Sequence, residues 1–275
     1  MAMALGQRAN ASSAKSFDPI WDALRTEAEE AVDREPMMAA FLCANVLNNS
    51  DMESAIARRV SERLGHELMA PSLIEQAYAQ MLEGSEGFAT SLRADLQAVY
   101  DRDPACQRYL DAFLYFKGFH ALQAHRVAHW LWSEGRRDFA LYLQSRSSAV
   151  LGVDINPATI VGKGVFLDHA TGIVIGQTAR IGDDVSILQG VTLGGTGKEN
   201  GDRHPKIGNG VLIGAGANVL GNIEIGHCSK VAAGSVVLRP VPPNSVVAGV
   251  PARIVGKSDC AEPGRAMDQM LSMDD

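Results

Sequence analysis

The stretch "IGNGVLIGAGANVLGNIEIGHCSKVAAGSVV", residues 207–237, carries an aliphatic side chain at every sixth position: Ile207, Ile213, Val219, Ile225, Val231 and Val237. An earlier run, Ile155, Val161, Leu167, Ile173, Ala179, Val185 and Val191, keeps the same step in a second register. Twelve of these 13 positions are Ile, Val or Leu, a regularity that chance spacing in a β-sandwich does not produce. Neither a helix of period 3.6 nor a strand of period 2 generates it. A hexapeptide period is the signature of a parallel β-helix, in which each short strand ends in a tight turn and every sixth side chain stacks inward. Three hexads close one triangular coil. At an inter-strand spacing of about 4.8 Å, four or five coils build a prism on the order of 20 Å tall.

Between the two runs lies "GGTGKENGDRHPK", residues 194–206, where the rhythm fails. Val191 and Ile207 are 16 residues apart, four more than two whole hexads, so the chain is expected to leave the prism and return. A solvated insertion is the bland reading. Long excursions from a regular scaffold are often functional, however, and this one carries Arg203 and His204, groups suited to a carboxylate. A phosphate loop is excluded by spacing: it needs glycine at 192 and Ser or Thr at 199, where the chain has Thr192 and Glu199.

Before residue 150 glycine is sparse and the period is helical. "FDPIWDALRTEAEEAV" opens with Asp18 as N-cap and Pro19 in the first turn, and Ile20, Trp21, Leu24, Ala28 and Ala31 recur on one face. Similar segments are expected at 37–49, 51–64, 70–82, 88–100 and 104–116, then across "GFHALQAHRVAHWLWSEG" and "RRDFALYLQSRSSAVLG". The expected plan is α + β: an all-helical domain over 1–150, a parallel β-helix over 151–257 with one protruding loop, and a tail over 258–275.

Composition excludes several classes. The 275 residues are 46% hydrophobic with a mean hydropathy of -0.02, as in a globular protein, and the formal net charge of -7 offers no surface for nucleic acid. The leading "MAMALGQRANASSAKS" has no sustained apolar core and no segment approaches the length of a membrane span, so the chain reads as cytoplasmic, with no membrane partner. Cys43, Cys106, Cys228 and Cys260 are scattered without a CxxC pair and read as reduced structural thiols. His125 and His129 are four apart on a helix, but no carboxylate or cysteine accompanies them, so packing histidines are the better reading than a metal site. A γ-type carbonic anhydrase would need three converging histidines in the hexapeptide half, where only His169, His204 and His227 occur without a close pair. No metal is expected.

Other polar residues keep two readings at this level. His169 in "LDHATG" sits two positions after Leu167, near a turn, and is either a surface histidine or a base poised near neutral pH. Asp154 in "VDINPA" is either a cap at the entrance to the first coil or a carboxylate orienting that base. Asp103 in "RDPA" has the form of a helix N-cap followed by proline.

The hexapeptide run resembles the left-handed β-helix acyltransferases, which depart from the usual right-handed crossover. Within them, DHATG, GGTGK and GDRHPKIG, with "AGSVVLRPVPPNSVVAGVPARIVG", RDPA at 102–105 and "KGFHALQAHRVAHWLW" at 117–132, look like the serine O-acetyltransferases over residues 18–257. The resemblance implies a left-handed β-helix and direct acetyl transfer from acetyl-CoA to L-serine, giving O-acetylserine, the first step of cysteine synthesis from serine. It implies His169 as general base, Asp154 as its partner and Asp103 as a residue that reaches the serine site; Asp168, next to the base, is a secondary candidate for holding the substrate amine. Arg203 and His204 are implied at the serine carboxylate, and Gly195, Ala215 and Ala233 along the pantetheine arm. It further implies trimers with sites between neighbours, paired into hexamers, and cysteine as feedback inhibitor. Relatives that dock into O-acetylserine sulfhydrylase end in isoleucine; this chain ends "MLSMDD", so docking in that mode is not expected. The alternatives are another acceptor, such as a sugar or homoserine, and a non-catalytic scaffold.

Overall fold

The structure, a computed structural model, describes residues 18–84, 87–197, 200–258 and 261–270. The N-terminal 17 residues, Lys198, Glu199, Cys260 and the acidic end at Asp274 and Asp275 lie outside the described residues, and with them the expectation about docking through the last residue. The fold has the expected architecture, helices followed by a β-helix of the left-handed type. No described helix is long and apolar enough to cross a membrane.

Helix α1 (Pro19–Arg34) starts as expected, with the Asp18 carboxylate accepting from the Trp21 N–H at 3.3 Å. It is followed by α2 (Ala39–Leu42), whose last turn widens into a π-helical stretch at Cys43–Leu47, then α3 (Met52–Leu64), α4 (Pro71–Gly84) and α5 (Gly87–Arg102). Helices α6 (Tyr109–Tyr115), α7 (Lys117–Ser133) and α8 (Arg137–Leu151) complete the domain. The expectation of a helix from 104 fails: the Asp103 carboxylate captures the Ala105 N–H at 2.9 Å in a local turn, and α6 starts only at Tyr109. Helix α7 is the axis of this half, buried at nearly every position from Gly118 to Ala128.

One buried rivet fixes the helices to the prism. Asp95, fully buried on α5, accepts from Arg126 Nε at 2.8 Å and from Gln123 Nε2 at 3.0 Å, and also from the Val165 N–H at 3.2 Å. Arg126 reaches on to the Gly162 carbonyl. Removing the carboxylate leaves a buried guanidinium without its partner, so Asp95→Ala is expected to lower unfolding free energy by about 3–5 kcal/mol in a denaturant titration.

Three parallel sheets form the prism. The strands are β1 (Val153–Ile155), β2 (Ile160–Val161), β3 (Phe166–Leu167), β4 (Ile173–Ile175), β5 (Arg180–Ile181) and β6 (Ser186–Ile187). They continue with β7 (Thr192–Gly194), β8 (Lys206–Ile207), β9 (Leu212–Ile213), β10 (Asn218–Leu220), β11 (Glu224–Ile225) and β12 (Lys230–Val231). The last are β13 (Val236–Val237), β14 (Ser245–Gly249) and an antiparallel β15 (Ala252–Lys257). Every third strand stacks: β1-β4-β7-β10-β13, β2-β5-β8-β11 and β3-β6-β9-β12-β14-β15.

The register corrects the sequence reading twice. Ile155 pairs with Ile175, a step of 20, whereas Ile175 pairs with Leu193, a step of 18. Two extra residues therefore enter between β3 and β4, and the inward strand positions that follow are 175, 181, 187 and 193. Ile173, Ala179, Val185 and Val191, each two residues before one of these positions, are buried as well, which is why the aliphatic period concealed the slip. Leu193 pairs with Val219, a step of 26, so the later excursion holds eight residues beyond the repeat and not four.

Candidate active site

Both interruptions carry the candidate chemistry. At the first, His169 and Ala170 take left-handed backbone with φ of 51° and 59°, a conformation that costs on the order of 1–3 kcal/mol per residue and persists only where surroundings enforce it. Here Ala170 is fully buried, its N–H bonds the Asp168 carbonyl at 2.5 Å, and the Thr171 N–H bonds the His169 carbonyl at 2.8 Å. The result pushes the imidazole outward: the His169 side chain is 80% exposed, with Nε2 at 3.9 Å from Asp168 Oδ1.

Asp168 is half-buried, and burial pushes its carboxyl above the usual range; His169 opposes this, while Asp103 pushes the same way as burial. Asp103, just past the end of α5, thus stands within electrostatic reach of Asp168, beside His169. Asp154 lies on β1, beside Val174, and accepts from Gln144 Nε2 at 2.6 Å. Among the described residues no hydrogen bond joins it to His169.

Two nearby residues carried no signal as site residues in the sequence. Lys117 donates to the Thr171 hydroxyl at the edge of the same turn. Gly118 packs so tightly that a Cβ built there would fall 2.0 Å from the Leu167 carbonyl oxygen. A glycine within a helix costs about 1 kcal/mol relative to alanine, and such a glycine signals close approach of another backbone. Gly118→Ala is expected to shift the turn that bears His169 and to cut turnover about 10²-fold, the scale of a 1 Å misplacement; steady-state kinetics beside a thermal melt check this.

The turns of the prism form vertical edges. The edge of His169 continues upward through Gln189, Ala215 and Ala233, linked as the Gly190 N–H bonds the Thr171 carbonyl, Gly216 that of Gln189, and Gly234 that of Ala215, each at 2.8 Å. Ala215 and Ala233 therefore stand in line above the histidine, and nothing lies within 4 Å of a Cβ built on Gly216 or Gly234. The edge is open at these two glycines.

Arg203 and His204 stand on a different edge, where β7 passes to β8. The Thr178 hydroxyl accepts from the Arg203 and His204 N–H groups at 3.0 and 3.1 Å, and the Thr178 N–H donates to His204 Nδ1 at 3.2 Å. Nδ1 is thus an acceptor and the ring is neutral; burial, with Arg203 and Lys206 nearby, holds its pKa below the usual value. The ring covers Gly176, whose Cβ would fall 2.0 Å from it, so the excursion is pinned to this edge. A Cβ built on Gly195 would fall 3.4 Å from the Arg203 side chain there, away from Ala215 and Ala233. A cleft of about 390 Å³ opens alongside, between Ile160, Gln177, Arg180 and Asp202.

The three histidines of α7 are each held by a backbone carbonyl. His120 Nε2 bonds Phe113 O at 2.7 Å, His125 Nε2 bonds Thr159 O at 3.1 Å, and His129 Nδ1 bonds Pro157 O at 2.8 Å. Burial drops His120 and His125 to about 3, so both are neutral packing groups. Among the described residues no group of three or more His, Cys, Asp or Glu is placed to hold a metal.

Comparison with known proteins gives this geometry its context. Residues 20–124 match the family model "Serine acetyltransferase, N-terminal", and residues 204–239 match "Bacterial transferase hexapeptide (six repeats)". The serine acetyltransferase of Escherichia coli K12 is 50% identical over 257 residues, 94% of this chain and 94% of that one. A crystal structure of the Brucella abortus S19 serine acetyltransferase in complex with coenzyme A is 58% identical, covers 89% of this chain and 98% of its own, and superposes with a TM-score of 0.88. The Neisseria gonorrhoeae serine acetyltransferase in complex with serine is 50% identical over 87% of this chain and 98% of that one, with a TM-score of 0.84. A serine acetyltransferase in complex with cysteine is 45% identical over 92% of this chain and 98% of that one, with a TM-score of 0.90. Matched at this level across nearly its whole length, the chain belongs to the serine acetyltransferase family.

Proposed function

We propose that this chain transfers the acetyl group of acetyl-CoA to the hydroxyl of L-serine, with His169 as the general base. The observation that carries this reading is the exposed imidazole on a strained turn, beside Asp168 and in line below Ala215 and Ala233. The serine hydroxyl is too weak an acid to attack a thioester unaided. Neutral His169 takes its proton as Oγ forms the bond to the acetyl carbonyl; the tetrahedral adduct collapses, the C–S bond breaks, and His169 returns the proton to the departing sulfur.

Asp103 and Asp168 receive the serine ammonium. Their mutual repulsion, which raises Asp168, is relieved by a cation between them. Arg203 and His204 take the carboxylate, and the edge along Ala215 and Ala233 accepts the pantetheine arm, with Gly195 contributing from the other edge. Asp154 stabilises the imidazolium in the complex, exchanging Gln144 for His169 as partner.

The site is shared between copies of the chain. The ammonium-binding groups and the base occupy one edge, the carboxylate-binding groups another, and a strand of the β1-β4-β7 sheet separates them, about 10 Å plus the turns. A trimer in which one copy's second edge meets its neighbour's first edge completes the constellation, as in a closed heterologous ring; two such trimers paired through their helical halves make the hexamer. Cysteine, which keeps the amine and carboxylate of serine, competes for the same groups, and the chain works in the cytoplasm.

CoA release with serine, homoserine and a simple hexose as acceptors tests the assignment. Serine-dependent turnover is expected to exceed that with either alternative by at least about tenfold, since misfitting the amine or carboxylate leaves buried polar groups unpaired. Faster turnover with homoserine or hexose would displace serine as the substrate.

A further inference from the structure

Residues 261–270 fold back along the outer face of the sheet that holds β6, β9 and β12, as a strap. The Gly264 N–H bonds the Gly210 carbonyl at 2.8 Å, and Lys230 Nζ bonds the Asp268 and Met270 carbonyls at 2.8 and 2.5 Å. A Cβ on Gly264 would fall 2.4 Å from the Asp184 carbonyl oxygen, so the backbone approach admits no side chain. Within the strap α9 (Pro263–Ala266) lies against α5 and β9.

Where it crosses β6, the strap meets the end of α5. Asp184 receives Arg265 on Oδ2 at 2.8 Å and Arg102 on Oδ1 at 2.9 Å. The Ser186 hydroxyl accepts from Arg102 at 3.1 Å and donates to the Gly264 carbonyl at 2.5 Å. Both groups that hold Arg102 are therefore themselves held by the strap. Arg102, its side chain 4% exposed, is the last residue of α5, and the next residue is Asp103. The Asp103 N–H closes the final helical bond to Val99 at 3.0 Å, so the position of the Arg102 anchor fixes where the Asp103 carboxylate stands against Asp168.

We propose that Arg265 is a positioning residue for serine binding, acting through Asp184 and Arg102 on Asp103. The proposal rests on the reading of Asp103 as an ammonium-binding group. A strap anchored on one arm of the carboxylate and on Ser186 holds the α5 terminus at one distance from the His169 turn. Reversing the Arg265 charge frees Asp184 to swing, and Asp103 moves with Arg102.

The test is the kinetics of the full-length chain carrying Arg265→Glu, Arg265→Lys, Asp103→Asn and the Asp103→Asn/Arg265→Glu pair. Arg265→Glu is expected to raise KM for serine about fivefold, the scale of coupling between residues in one network. The kcat and the KM for acetyl-CoA should stay within about twofold. Arg265→Lys should restore native behaviour, and the pair should be no worse than Asp103→Asn alone. A rise in KM with Asp103→Asn but none with Arg265→Glu overturns the strap, as does a lowered Tm with unchanged KM. Effects that multiply in the pair also overturn it, because Arg265 then acts elsewhere. No change with Asp103→Asn itself refutes the reading of Asp103, and the proposal with it.

Discussion

His169→Ala is expected to lower kcat for serine acetylation by about 10²–10⁴, with KM for serine and for acetyl-CoA within about threefold of native. The split follows from where the imidazole sits. It is exposed on its turn, and its nearest charged partner, Asp168, stands 3.9 Å away, so its removal leaves the backbone of the turn and the edge along Ala215 and Ala233 in place. What is lost is the proton acceptor at the moment Oγ attacks, an interaction made only in the transition state. Steady-state rates over a range of both substrates check the prediction. A variant retaining more than about a tenth of native kcat would remove His169 from the chemistry.

Mixing two crippled variants is expected to restore activity. His169→Ala damages one edge of the prism and Arg203→Ala another, and the excursion is pinned to its own edge by His204 over Gly176 and by Thr178. In an oligomer whose sites take one edge from each of two neighbours, a site is intact when its first-edge donor carries only Arg203→Ala and its second-edge donor only His169→Ala. Random assembly gives that arrangement at about one site in four. Co-expressed mixtures assayed below the native KM for serine should therefore reach about a quarter of native activity, from parents far below it. A mixture no more active than the average of its parents would mean that each copy holds a complete site.

The parts of this architecture that were legible in the sequence are those written by periodicity. Helices α1, α3, α4, α5, α7 and α8 start and stop within a few residues of the apolar stripes and caps that marked them. The β-helix follows from the sixfold step because inward Ile, Val and Leu must stack. The same periodicity hid the slip after Leu167. Ile173 and Ile175 both face inward, so counting sixes passes from one column to the other without meeting a polar residue. The RDPA segment failed for another reason: an aspartate before proline serves a turn and a helix cap equally well, and here the carboxylate closes on Ala105.

The site was legible as residue types but not as an arrangement. DHATG and GDRHPK mark the candidate site residues, yet the separation of His169 from Arg203 depends on which of three edges each turn occupies, and that requires counting strands through an irregular repeat. Gly118 and the contacts of the strap could not be read at all. They pair residues 38 to 84 positions apart, such as Lys230 with Asp268 and Arg102 with Ser186, through packing that has no local pattern.

The most direct measurement is the mass and connectivity of the product formed when the full-length chain is given acetyl-CoA labelled in its acetyl group and unlabelled L-serine. The account predicts serine heavier by one labelled acetyl group on its hydroxyl oxygen, formed in step with free CoA and abolished by His169→Ala. Free labelled acetate without acetylated serine, or label appearing on an acceptor other than the serine oxygen, would contradict it.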